Sequence, residues 1–167
     1  MSLINGVVIG LVTNVKDPEK NGRIKVHFPW LDDNHETDWI RIATMMGGNG
    51  RGSFFMPEVN DEVLVAFDHG DARFPYVIGF MWNGQDAPPA DDVRIRRIES
   101  VNGHRISFLD STPSGGNKGG LLIEDAHGNT ILMSNAQIVV KSVCNLQVIA
   151  PTITLNGRVV APNANPI

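Results

Sequence analysis

The residues of this chain best suited to chemistry are a glycine-rich run, two close acidic pairs, five histidines and one cysteine. Gly47-Gly48-Asn49-Gly50-Arg51-Gly52 has the composition of a phosphate-binding loop, whose backbone N–H groups cradle an anion at a helix start. A nucleoside-triphosphate loop needs lysine directly after its last glycine, where this chain has Ser53. A dinucleotide loop needs a further glycine at 53 or 55 and a helix to follow. Neither condition is met, and the run reads as a connection between strands. Asp32/Asp33 and Asp68/Asp71 could supply paired carboxylates for glycoside hydrolysis. Their neighbours Asn34 and His69-Gly70 make them turn sequences, in which Asp side chains bond the local backbone. His27, His35, His69, His104 and His127 show no HxH, HxxxH or cysteine-linked spacing, so no metal site is expected. There is no GxSxG nucleophile elbow. No catalytic constellation emerges; the expectation is a protein without enzymatic activity and without a cofactor.

Charge narrows the partners. The chain has 167 residues and a formal net charge of −4, and only Arg94-Ile95-Arg96-Arg97 is locally basic. Nucleic-acid backbones are held by clustered Lys and Arg, so no nucleic-acid partner is expected. Cys144 stands alone, which rules out an intrachain disulfide and suits a reducing compartment; inside an apolar repeat it reads as a small buried hydrophobe. The start MSLINGVVIGLV lacks a basic n-region and a small-residue cleavage site and is too short to span a bilayer. Synthesis in the cytoplasm without a signal peptide is therefore expected.

The elements that must carry these residues are strands. Helical periodicity is hard to find, while β-branched alternation broken by Gly, Asn, Asp and Pro recurs from end to end. Strands are predicted over 7–15 and 23–28, joined by a turn ending in Asn21-Gly22, and then over 38–44, 62–68 and 75–82. Five short strands within residues 1–84 suit a small OB-type barrel. The aromatics Phe28, Trp30, Trp39, Phe54, Phe55, Phe67, Tyr76 and Trp82 are assigned to its core. Residues 85–92, with two prolines and three aspartates, form a linker. Residues 93–120 hold a second hairpin about Asn102-Gly103 and a Gly/Ser-rich loop.

From 121 to 167 a different pattern governs. Apolar pairs at i and i+2 recur as Leu121/Ile123, Ile131/Met133, Ile138/Val140, Leu146/Val148 and Ile153/Leu155. Spacing of two places each pair on one strand face, and its regular return marks a stack of short strands. One chain supplies only a thin layer there, so other copies must cover it, as in an oligomeric β-prism.

The barrel sequence resembles a known family. The segment from Gly22 to Trp30, then Trp39-Ile40-Arg41-Ile42-Ala43, the run from Gly50 to Phe67, Gly70-Asp71, and Pro75-Tyr76-Val77-Ile78-Gly79 resemble the spike proteins of contractile injection systems, the VgrG proteins and the phage baseplate assembly protein V group. Gly103-His104 and the run from Ile123 to Asn129 resemble the opening of that family's prism. The resemblance implies a homotrimer, with an OB collar followed by an intertwined triangular β-prism pointed at a target membrane, held in the baseplate of a phage tail or injection particle. Ile131, Met133, Ile138, Val140, Leu146, Val148, Ile153 and Leu155 would then line the threefold axis. A typical VgrG has a large hub domain before the barrel, so a separate hub protein is expected here. Neither a lysozyme domain, an effector domain nor the HxH motif of some phage tips is found. A PAAR-type cap is expected on Asn163, Ala164, Asn165, Pro166 and Ile167. Asn60 stands where the family commonly has glycine, a substitution that positive φ tolerates. The reading from a different class is an OB-fold module binding nucleic acid or glycan, and a third is a baseplate-associated hydrolase.

Overall fold

A computed structural model describes residues 3–31, 35–112 and 116–160. The five expected cap-binding positions, 163–167, lie outside the described residues. The chain divides into two units, Met1–Pro88 and Pro89–Ile167.

The first unit holds β1 (Val7–Asn14), β2 (Lys25–His27), β3 (Arg41–Ile42), β4 (Gly47–Gly48), β5 (Arg51–Gly52), β6 (Glu62–Phe67) and β7 (Pro75–Met81). Their main sheet runs β2-β1-β6-β7-β3, antiparallel except where β3 runs parallel to β7. The two ends of this sheet meet. Ile24 and Ile40 exchange backbone hydrogen bonds of 3.0 and 2.8 Å, and Thr37 N–H donates to Val26 O at 2.9 Å. The cyclic order β1-β2-β3-β7-β6, closed with its third strand parallel to its last, is the five-stranded OB arrangement.

Strict alternation fills the barrel. Along β6, Val63, Val65 and Phe67 point inward and meet Val12, Ile24, Val26, Phe28, Ile40 and Val77. Gly10 faces the same interior: a Cβ there would stand 2.3 Å from Val26 Cγ1, so only glycine lets β1 and β2 pack this closely. Extra residues bend the wall, with irregular register at Thr13 in β1 and at Ile78 in β7. The first hairpin turn is tied by Asp17, which accepts from the backbone N–H groups of Glu19, Asn21 and Arg23 and from the Arg23 guanidinium at 2.8 and 3.0 Å.

Two expectations for this unit need correction. The strand predicted over 38–44 is reduced to two residues, because the barrel is closed there by isolated bridges rather than by a long ladder. Of the eight aromatics assigned to the core, only Phe28 and Phe67 are buried; Trp39 and Tyr76 are half-buried, and Trp30, Phe55, Trp82 and Phe54, the last 80% exposed, lie on the surface. The interior is narrow, and valine and isoleucine fill it. The glycine run proves to be a small hairpin, β4 against β5, in which Gly50 and Gly52 take positive φ. At Gly52 a Cβ would lie 2.3 Å from Met46 O.

The second unit is a meander. β8 (Ile95–Glu99), β9 (Arg105–Leu109), β10 (Gly120–Glu124), β11 (Thr130–Ser134) and β12 (Gln137–Lys141) form one antiparallel sheet in the order β12-β11-β10-β9-β8, and β13 (Thr154–Leu155) pairs with β14 (Arg158–Val159). Two-residue turns with both residues at positive φ, Asn135-Ala136 and Asn156-Gly157, join β11 to β12 and β13 to β14. Around Leu146 and Val148 no strand forms, contrary to the expected even stack. Their segment finds no ladder partner among the described residues. Cys144, expected to be buried, is exposed for the same reason.

Candidate functional site

Cross-strand register shows what the second unit offers. Ile98, Ile106, Ile123, Ile131 and Val140 stand opposite one another across all five strands, forming one continuous rung. The neighbouring rung on the same face is Arg96, Phe108, Leu121, Met133 and Ile138. Nine of these ten residues are apolar. All but Leu121 among the apolar nine are exposed in the single chain, Ile138 by 69%. No hydrophobic side chain among the described residues of this unit is buried; every member of the buried core belongs to the barrel.

The opposite face carries the unit's paired charges beside a shorter apolar rung, Leu122, Leu132 and Val139. Glu99, Arg105, Glu124, Thr130 and Lys141 form its charged rung, with Arg105 donating to Glu124 at 2.7 and 2.9 Å. Arg97 donates to Ser107 Oγ at 3.0 Å and to Glu99 at 3.2 Å, and its side chain helps to bury Ser107 completely. The two faces therefore differ in degree: one is apolar across all five strands, and the other sets paired charges beside a shorter apolar rung.

At one end of the sheet, connections are tied together. Asp125 Oδ1 accepts from the backbone N–H groups of His127 and Asn129 at 2.9 Å each, and its Oδ2 accepts from Asn129 Nδ2 at 2.6 Å. The Asn129 donor, with the backbone N–H groups, holds the Asp125 carboxyl below the usual carboxylate range against the opposing effect of desolvation. His104 Nδ1 accepts from Ala126 N–H at 3.2 Å, and Asn129 Oδ1 accepts from Val143 N–H at 2.9 Å.

The residues assigned to a threefold axis fall into two groups. Ile131, Met133, Ile138 and Val140 are side by side on the apolar face, Met133 opposite Ile138 and Ile131 opposite Val140. Leu146 and Val148 are exposed outside any strand, Ile153 is half-buried before β13, and Leu155 is exposed within it; the five-stranded sheet does not gather these four. Sequence reasoning missed Ile98, Ile106 and Phe108, although Ile106 and Phe108 carry the same i, i+2 spacing that marked the later pairs.

A groove of about 1010 Å³ lies beside the paired β3 and β7 of the barrel, lined by Trp30, Trp39, Arg41, Phe74 and Tyr76 among others. Its charges are mixed: Arg41 and Arg73 face Glu36, Asp38 and Asp68, and Arg73 is held by Asp71 at 2.6 Å. Among the described residues no three His, Cys, Asp or Glu side chains converge as a metal site.

A closed OB barrel followed by a five-stranded sheet with two exposed apolar rungs defines a modular, two-unit all-β class. Residues 8–82 match the type VI secretion system/phage-baseplate injector OB domain. The chain belongs to the VgrG and phage-baseplate spike family. It is 32% identical over 136 residues to the type VI secretion system spike protein VgrG5 of Pseudomonas aeruginosa, covering 78% of this chain and 16% of that one. It is 32% identical to VgrG4b of the same organism over 71% of this chain and 14% of the relative, and 35% identical to the spike protein VgrG3 of Vibrio cholerae over 41% and 7%. The chain thus spans about a sixth of the length of the first relative or less of the others. The 136-residue likeness is longer than the first unit and includes part of the second.

Proposed function

We propose that the chain is the non-enzymatic central spike of a contractile phage tail or related injection machine, working as a homotrimer. Residues 1–84 act as the collar that meets the baseplate hub, 85–92 link it to the shaft, 93–120 lead into the prism, and 121–167 make an intertwined triangular β-prism and its tip. Residues 163–167 present the seat for a PAAR-type cap, and the capped prism makes brief contact with the target membrane. The protein is made in the cytoplasm and incorporated into the particle.

The observation that carries this reading is that the described residues of the second unit bury no hydrophobic side chain while presenting two nearly unbroken apolar rungs. Five strands at about 4.8 Å spacing make the patch roughly 24 Å wide. Covering roughly 300 Å² of it stabilises by about 7 kcal/mol per chain at about 25 cal/mol per Å². That equals the net stability of a small domain, which is about 5–15 kcal/mol, so folding of this unit is tied to association. Three identical chains supply the cover symmetrically, and the unpartnered segment about Leu146 and Val148 finds its ladder in a neighbouring copy.

Ile138→Asp and Val148→Asp each place three carboxylates about a dry axis. Both variants are expected to elute as monomers in size-exclusion chromatography, with the barrel still folded by circular dichroism. Wild-type elution of both would mean that the other face points inward.

The barrel groove favours one second reading, an OB module that binds glycan or nucleic acid, since aromatic rims suit stacking. Its balanced charges argue against a polyanion. Calorimetric titration with oligosaccharides and oligonucleotides, repeated with Trp39→Ala, distinguishes this reading from the spike.

A further inference from the structure

The end of β12 is held by a side chain rather than by its ladder. Thr130 pairs with Lys141 as the last rung, so an uninterrupted strand would continue with Ser142 opposite Asn129. Instead the Val143 N–H donates to Asn129 Oδ1 at 2.9 Å. Ser142 Oγ donates to Asn145 O at 2.9 Å and accepts from Cys144 N–H at 3.3 Å, curling residues 142–145 upon themselves. Beyond that curl come Leu146 and Val148, alternating, exposed and without a ladder partner among the described residues.

We infer that Asn129 is the positioning residue that fixes where the chain leaves its own sheet, and so the register in which residues 146–148 meet the neighbouring copies. The inference rests on the trimeric reading above. The chemistry is specific to an amide. Asn129 Nδ2 donates to Asp125 Oδ2 at 2.6 Å while Oδ1 accepts from Val143, so one planar group needs a donor on one side and an acceptor on the other. Asp125 orients it, accepting also from the Asn129 backbone N–H at 2.9 Å. The turn that carries both is braced from the β8–β9 connection by His104, which accepts from Ala126. Gly128, at φ +88, takes the left-handed conformation that closes this turn, and Val143 packs beside it. A single misregistered residue would turn Leu146 and Val148 to the wrong face, because strand side chains alternate with period two.

The test uses the full chain and four proteins: wild type, Asn129→Ala, Asp125→Ala, and the exchange Asp125→Asn with Asn129→Asp. The exchange preserves every hydrogen bond, since Asn at 125 donates to Asp at 129 and Asp at 129 still accepts from Val143. Two side-chain bonds per chain, six per trimer, are lost in Asn129→Ala, so its trimer association constant falls at least about tenfold, as read by sedimentation. The Val143 amide also exchanges faster in that variant, while the melting of the barrel is unchanged. Asp125→Ala loosens the turn and weakens association less, because the acceptor for Val143 stays. The exchanged pair returns both association and Val143 protection to near wild type. Wild-type association of Asn129→Ala, or failure of the exchanged pair to restore it, overturns the role given to Asn129 while leaving the trimer standing. A wild-type chain that is monomeric throughout overturns both.

Discussion

Single carboxylates at turns set much of the local geometry. Asp17, Asp71 and Asp125 each accept several hydrogen bonds from residues within six positions, and each is held below the ordinary carboxylate range by those donors. For Asp71 the Arg73 side chain is the main cause, followed by the Arg73 backbone N–H, and the folded value is about 2 against an ordinary 3.8. A depressed folded value means stability that is complete above the unfolded pKa and is lost as pH falls through the folded one. The difference in melting temperature between wild type and Asp71→Asn is therefore expected to be constant from neutral pH down to about 5, to shrink below about 4, and to vanish near 2. Thermal melts across that range check it, and a difference that persists undiminished to pH 2 would contradict it. Turn residues of this kind were legible in the sequence, because Asp and Asn bond their own backbone. Asn60 at φ 81 and Gly103 at φ 85 occupy the left-handed conformations their types predict. Aromatic burial was not legible. Core volume depends on how tightly strands close, and a barrel that needs glycine at position 10 has no room for Trp30 or Phe54 inside.

At the scale of elements, alternation located the strands well and missed what pairs them. Residues 62–68 and 75–82 were predicted within a residue of β6 and β7, since both alternate cleanly between bounding turns. The strand predicted over 38–44 was found but drawn too long, because its ladder is supplied by a parallel partner over two residues and by isolated bridges distant in sequence. Pairing of Leu146 and Val148 could not be read for a stronger reason: the described residues offer no ladder partner for them. The β11–β12 turn carries a local conflict of its own. Ala136 sits at φ 63, where a Cβ is strained, in a turn that glycine fits freely. Ala136→Gly is expected to raise stability by about 0.5–1 kcal/mol, net of the added entropy of the unfolded chain. Denaturant titration measures it, and a loss of stability would show that the turn relaxes out of the left-handed conformation.

For the whole molecule, the two units differ in kind. The barrel closes about nine buried hydrophobic residues and satisfies itself. The second unit pairs its charges on one face and exposes two apolar rungs on the other, which accords with the proposed completion among copies. The periodic pairs announced that incompleteness, and the register extends it by three residues, Ile98, Ile106 and Phe108. Identity with spike proteins over both units accords with a shaft built from identical chains. The most direct test is the mass of the purified full chain in solution, by light scattering or sedimentation equilibrium at micromolar concentration. The account predicts three times the 18.2 kDa of one chain; a stable 18.2 kDa monomer would contradict it.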